Sequence, residues 1–453
     1  MSVLLYTLGV VVFFVAILAS IGLHELGHMI PAKKFGGKVT QYFIGFGPTV
    51  WSKQVGETEY GVKAIPLGGY VKIVGMLPPD ALDVADEVQV DAGGNQVVRV
   101  RKSNTGMFTQ LISDARAAEW ELIGPEDSER LFYKMPWWKK VVVMAGGPSV
   151  NLAIAFFLFW GVFSTYGQKS FEPEPGAPVL QSVSACVLPY TDEDRECAPA
   201  DPVAPAAEAG LLPGDTITTF NGVPVTGWDQ LRTLIRDNEG GTAVIDYLRD
   251  GQVLTGTTST TVQARPTSVT DETLTQVGFL GVTPTQQIVT ETGGPFYTLG
   301  QMGTMTVDTL QALVTLPAKV FDVGQAIVGL EERAIDSPVS IVGGGRLAGE
   351  TTASETFPAA DKLVFLVMLV AGFNLFIGLF NFLPLLPLDG GHIASALWEA
   401  VRRGVARVRG RPDPGYVDAA KFLPVAYVVA SALLVMGVVL IVGDLVVPLR
   451  LEG

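Results

Sequence analysis

A run of about 21 residues without a single charge, Val3 to Leu23, ends directly on His24-Glu25-Leu26-Gly27-His28. At about 1.5 Å per residue, a helix of that length crosses the hydrocarbon core of a bilayer, so residues 1–30 are predicted to form a first membrane span. Ionisable side chains within such a helix are expensive, and by default they are there for function. One helical turn separates His24 from His28 and puts both imidazoles on one face, where they can share a metal ion, most often zinc. Glu25 stands beside them, able to act as a base. The chain has three histidines and two of them lie in this motif, a concentration that scattered core histidines would not produce.

Further apolar runs extend the membrane reading. Hydrophobic residues make up 48% of the chain and charged ones 17%, a balance that together with the long runs indicates a polytopic membrane protein. Spans are expected at 141–166, 361–384 and 422–448, giving four transmembrane helices. The net charge of −14 argues against nucleic acid as a partner, and its distribution sets the topology. Between Gly167 and Ala360 there are 24 acidic and 9 basic residues, whereas residues 31–140 carry 13 and 14. Residues 391–421 are basic as well, through Arg402, Arg403, Arg407, Arg409, Arg411 and Lys421. The positive-inside bias therefore puts 31–140 and 391–421 in the cytoplasm of a plasma-membrane protein and the acidic middle outside. A signal peptide is not expected at the N-terminus, because a basic n-region and an A-x-A site are both missing.

Between the spans the pattern changes. Residues 40–75 alternate short apolar stretches with glycines and read as β-hairpins with a Gly-rich turn at Gly68-Gly69-Tyr70, a sheet folded against the membrane beside the histidines. An exposed edge there can pair with an extended substrate. Residues 78–135 are polar and of mixed charge, a cytoplasmic insert. In the second span, Gly146-Gly147-Pro148 and Asn151 put small residues and an amide at membrane depth, which favours close helix approach and interhelical hydrogen bonds. Outside the membrane, Pro205 to Ile217 reads as a short helix closed by Gly210 and a turn at Gly214-Asp215. Asn221-Gly222 and Asp250-Gly251 are hairpin signals around a helix from Trp228 to Asp237. This order resembles a PDZ domain over residues 176–264. Residues 265–360 read as an amphipathic helical segment, with a helix from Phe296 to Leu330 broken near Pro317 and then a Gly-rich loop from Asp336 to Glu350.

A third metal ligand is expected where the third span ends, in Leu388-Asp389-Gly390-Gly391-His392, part of the segment 385–421. The first and third spans both run from outside to inside and reach His24 and Asp389 late, so these residues arrive at the same leaflet. Asp389 then completes a two-histidine, one-carboxylate set of the kind zinc accepts. His392 is a poorer candidate, and Glu57 and Glu59 are the competitors if the site belonged to a soluble-type zinc protease on an anchor. Asn374 and Asn381 are seven residues apart and share a helical face, where they can bond a substrate backbone or another helix.

Together these motifs resemble the site-2 protease family, specifically its bacterial regulated intramembrane proteases that carry a PDZ domain. The resemblance covers most of the chain: His24 to His28, the Gly68-Gly69-Tyr70 hairpin, Gly147-Pro148 with Asn151, the PDZ-like module, Gly278 to Val282, Pro338-Val339-Ser340 with Gly343 to Gly345, and Leu388-Asp389-Gly390. It implies one zinc ion per chain held by His24, His28 and Asp389, with Glu25 as catalytic base. It implies single-span membrane proteins as substrates, typically anti-sigma factors already cut outside by a site-1 type protease. Gly68, Gly69, Tyr70, Asn151, Asn374 and Asn381 are the expected substrate contacts. Two features depart from the family pattern: Pro384 and Pro387 are three residues apart where relatives often have two, and only one PDZ domain can be placed. A membrane scaffold with a structural metal is the rival reading, distinguished by a closed ligand set where a catalytic site keeps an open position. Cys186 and Cys197, the only cysteines, flank an acidic insertion on the side expected to be oxidising and are expected to form a disulfide.

Overall fold

The computed structural model describes residues 2–78, 89–90, 96–97, 112, 114–116, 123–124, 127–190, 195–266 and 274–449. Most of the expected insert at 78–135 lies outside the described residues. The chain divides into two compact units, one of Met1–Tyr166 with Gly293–Gly453 and one of Gly167–Thr292.

Four helices of the first unit are long and apolar enough to cross a membrane. They are α1 (Ser2–Lys34), α2 (Trp137–Thr165), and two that follow the second unit in sequence, described below. α1 ends on Lys33 and Lys34, cations where the carbonyl end of the helix dipole favours them. The backbones of α1 and α2 touch where they cross. A Cβ on Gly27 would sit 2.5 Å from the Gly146 carbonyl oxygen, and one on Gly146 would run into Gly27 in turn, so no larger residue fits at either position.

β1 (Val39–Val55) and β2 (Thr58–Ile73) form one long antiparallel hairpin that turns at Gly56, not at Gly68-Gly69 as the sequence suggested. The hairpin is folded on itself. Gln41 to Ile44 pair with Glu59 to Val62 on one side and with Gly69 to Lys72 on the other, while Trp51 to Val55 pair with Thr58 to Val62. Gly45 and Gly68 adopt φ of 92° and 100° at the doubling-back, the left-handed region that glycine enters without strain. Residues 69–72 thus become an outer strand, stacked through Tyr70 on Phe43 and Phe46. Tyr42 ties the sheet to the first span by donating to the Gly22 carbonyl over 2.8 Å.

After the second unit the chain continues with α3 (Pro295–Ile327), α4 (Ile341–Ala353), α5 (Ala359–Asn381), α6 (Asp389–Val408) and α7 (Leu423–Val446). α5 and α7 are the remaining apolar spans. α3 runs through Pro317 without the expected break; Val320, Val323 and Ala326 are buried beyond it and hold the second half in line. The Gly-rich stretch expected to be a loop is helix α4, capped by Ser340, whose hydroxyl accepts from the Val342 and Gly343 amides. Its glycines make room for rings. A Cβ on Gly345 would meet Phe14, and one on Gly349 would meet Tyr6, so the cost of glycine in a helix is offset by a close seat against α1. The segment 385–421, expected as a motif followed by a basic stretch, is largely the helix α6.

The Gly167–Thr292 unit is mostly β-structure, and its strands run on to Glu291, where a helical pattern from residue 265 was expected. Strands Leu274–Phe279, Val282–Pro284 and Gln286–Glu291 are each six residues or shorter, too short for their alternation to stand out. A four-stranded sheet has the order Gln252–Ser259, Thr242–Arg249, Thr216–Phe220, Val223–Pro224. Helix Trp228–Asp237 lays Leu231 and Ile235 onto a core of Leu180, Leu211, Ile217, Phe220, Ile245 and Leu280. Within that unit Asp215 is fully buried and receives Arg249 through two bonds of 2.7 Å and the Leu212 amide through a third. Burial alone would raise its pKa, but the guanidinium and the amide win and hold it below the ordinary carboxylate range. Cys186 and Cys197 are joined by a disulfide.

Candidate active site

α1 carries His24, Glu25 and His28 into the bundle, and α6 brings Asp389 to them as its first residue. His28 donates from Nδ1 to the Val143 carbonyl over 2.8 Å. That bond leaves Nε2 as the bare nitrogen, facing inward. The Nε2 atoms of His24 and His28 are 3.2 Å apart, and each lies close to Asp389 Oδ2, at 3.3 and 3.2 Å.

This triangle fits a metal ion on its own geometry. With Nδ1 committed to Val143, His28 Nε2 and the buried Asp389 Oδ2 face each other across a gap that a metal ion or a proton must fill, and among the described residues Asp389 Oδ2 has no donor other than the two histidines. Tetrahedral zinc with ligand bonds of about 2.0 Å needs ligand atoms about 3.3 Å apart, and the three edges match. His24, His28 and Asp389 are the cluster of metal-ligating type found among the described residues. Three protein donors leave a fourth position free, the arrangement of a catalytic rather than a closed structural site.

Gly147 of α2 closes one side. A Cβ there would collide with His28 Nε2 and lie 2.7 Å from His24 Nε2. Glu25 is 9% exposed and lies against the outer strand of the sheet, where a Cβ on Gly69 would be 3.2 Å from its Cγ. The triangle opens into a cavity of about 540 Å³ lined by Glu25, Gly68, Gly69, Tyr70, Asn151, Asn381 and His392, among others. The outer edge of residues 69–72 borders this space, and its Val71 amide donates to Glu25.

The other expected residues fall in different places. Asn374 is fully buried and does not line the cavity; it donates to Ser20 of α1 over 3.0 Å and to the Val370 carbonyl. Seven residues put it on the same face as Asn381 but about 10 Å away along the axis, at another depth. His392 lines the cavity outside the triangle. Glu57 is held by Arg130 through bonds of 2.7 and 2.8 Å, and Glu59 receives a bond from Gln41, so neither reaches the histidines. Sequence reasoning missed Val143, whose contribution is a main-chain oxygen, and the role of Gly147 against the imidazoles.

The model of peptidase family M50 matches residues 12–412. The chain belongs to peptidase family M50, the site-2 proteases. Similar proteins include the zinc metalloprotease Rip1 of Mycobacterium tuberculosis, 33% identical over 99% of this chain and all of that one, and Rip1 of Mycolicibacterium smegmatis, 32% identical over the same shares. The regulator of sigma-W protease RasP of Bacillus subtilis is 24% identical over 87% of this chain and 88% of that one. As a site-2 protease the chain is a multi-pass membrane zinc metalloprotease, and zinc is its cofactor.

Proposed function

We propose that this site-2 protease binds one zinc ion through His24, His28 and Asp389 and hydrolyses a peptide bond of single-span membrane proteins within the bilayer, with Glu25 as the base. The observation that carries the reading is the triangle of inward-facing donor atoms beside an outer strand edge, set among apolar helices. When bound, zinc polarises the scissile carbonyl and lowers the pKa of water. Glu25 takes a proton from the attacking water and delivers it to the leaving amine. Val143 keeps His28 in the tautomer whose Nε2 faces the metal. A helical peptide bond is shielded by its own hydrogen bonds, so the substrate must unwind. The edge of residues 69–72 offers main-chain partners to the extended form, and Asn151 and Asn381 offer amides to its backbone.

The distribution of charge supports cytoplasmic placement of 31–140 and 391–421 and an extracytoplasmic Gly167–Thr292 unit. The order of strands and helices in that unit supports a PDZ-type module whose core extends past the expected limits of 176–264. The RasP relative, named for sigma-W, supports anti-sigma factors or similar regulators as substrates, presented after a first extracytoplasmic cut by a site-1 type protease. Purified enzyme in lipid vesicles should cut a trimmed single-span regulator inside its membrane segment, and Glu25→Gln should abolish the cut. A product formed equally by the Glu25→Gln protein would refute the assignment.

A further inference from the structure

Asp389 is carried by a different helix from the two histidines, so something must set its reach to them. A helix is stiff along its axis and rises about 1.5 Å per residue, so the axial position of α6 fixes that of Asp389. α6 packs along α2. The two are joined by an ion pair inside the protein: Lys140 Nζ lies 2.7 Å from Glu399 Oε2, with the side chains 7% and 2% exposed. Arg403, one turn further along α6, reaches Glu399 Oε1 at 3.2 Å. The ring of Tyr416 covers both cations, its centroid 5.1 Å from Lys140 Nζ and 5.0 Å from the Arg403 guanidinium.

The pair is in register with the site. On α2, Lys140 is followed after three residues by Val143, which holds His28, and after four more by Gly147, which backs both imidazoles. On α6, Asp389 and Glu399 are ten residues apart, so α6 runs antiparallel along the same stretch of α2. A slip of one residue would move Asp389 by about 1.5 Å, whereas metal-ligand distances tolerate about 0.2 Å. Stability does not explain a buried pair of this kind, since apolar replacement of both partners is commonly neutral or stabilising, and fixing register is the best-attested use of such groups.

We propose that Lys140, Glu399 and Arg403 form an axial lock that sets the reach of Asp389 to His24 and His28, and are positioning residues for the metal site. The proposal rests on the assignment of Asp389 as a zinc ligand. The test uses the full chain in lipid nanodiscs, with Zn2+ as the probe against a chromophoric chelator. Lys140→Met/Glu399→Met keeps the volume and removes the charges of the buried pair, leaving Arg403 to Asp413, 3.3 Å away. It should bind zinc about 10- to 100-fold more weakly, with a lower kcat, an unchanged KM and a thermal unfolding temperature of the apo form no lower than that of the parent. Lys140→Arg should retain most of the affinity that Lys140→Met loses. Zinc lost by Asp389→Ala but bound at full affinity by the double variant would overturn the lock alone. Zinc kept by Asp389→Ala would bring down the ligand assignment and the lock with it. Weak zinc binding that merely follows loss of folded protein, with Lys140→Arg as poor as Lys140→Met, would also overturn it.

Discussion

His28 gives its Nδ1 proton to the main-chain oxygen of Val143 over 2.8 Å, and this bond decides which of its nitrogens meets Asp389. The partner is a carbonyl on a second helix, so the orientation of this α1 imidazole depends on the close seat of α1 on α2. Gly27, Gly146 and Gly147 permit that seat.

Gly147→Ala should therefore be among the most damaging small substitutions in the chain. Its methyl group would overlap His28 Nε2, so either an imidazole leaves the triangle or α2 moves away with Val143. The expected result is loss of zinc, measured by atomic absorption, and loss of proteolysis, in protein that still inserts. Gly161→Ala, on the same helix with open space around it, should be nearly silent.

Gly69→Val examines the strand edge. The added atoms would press on Ile21, on Glu25 and on the Phe43 carbonyl, each within about 3.2 Å of the new Cβ. Proteolysis should fall by at least about tenfold, as expected for a misplaced base, while zinc content stays at the parent value. A variant with unchanged activity would remove the outer strand from the site.

In the Gly167–Thr292 unit the Asp215 carboxylate has a folded-state pKa below the ordinary value of about 3.9. A depressed carboxylate stabilises the fold fully above its unfolded pKa, and the contribution is lost as pH falls through the folded value. Hydrogen-exchange protection of the strands Thr216–Phe220 and Thr242–Arg249 should thus drop below about pH 4, and Asp215→Asn should be less protected at pH 7 with a flatter response to acid.

The disulfide between Cys186 and Cys197 closes a loop with a sequence separation of 11. Closure of so short a loop contributes roughly 2–3 kcal/mol. Thiol labelling of unreduced, denatured protein should find neither cysteine reactive. Reduction should lower hydrogen-exchange protection in the Gly167–Thr292 unit while leaving zinc content unchanged.

The residues of the triangle could be read from the sequence because histidine and aspartate are rare at the ends of apolar spans, and their types announce metal chemistry. Val143 could not, since any residue supplies a carbonyl oxygen. The turn of the hairpin was obscured by competition: Gly45, Gly47, Gly56 and Gly68 all adopt positive φ, and the sequence does not say which of them reverses the chain and which only bends it. Glycine also misled at α4, where a composition that suggests a loop is helical because Phe14 and Tyr6 occupy the space that side chains would need. Asn374 shares a face with Asn381, as periodicity requires, but periodicity carries no depth, and Ser20 on α1 claims it. The strands from Leu274 to Glu291 are rich in Val and Thr, which favour strands, but are too short for their alternation to stand out.

The proposed roles of Asp389 as a ligand and of Glu25 as a base make separable demands on the protein. Zinc per chain, measured on purified parent, Asp389→Ala and Glu25→Gln proteins alongside cleavage of a single-span substrate, tests them most directly. The parent should carry about one zinc and cut; Glu25→Gln should carry the same zinc and not cut; Asp389→Ala should do neither. An Asp389→Ala protein that keeps its zinc and its activity would contradict the account.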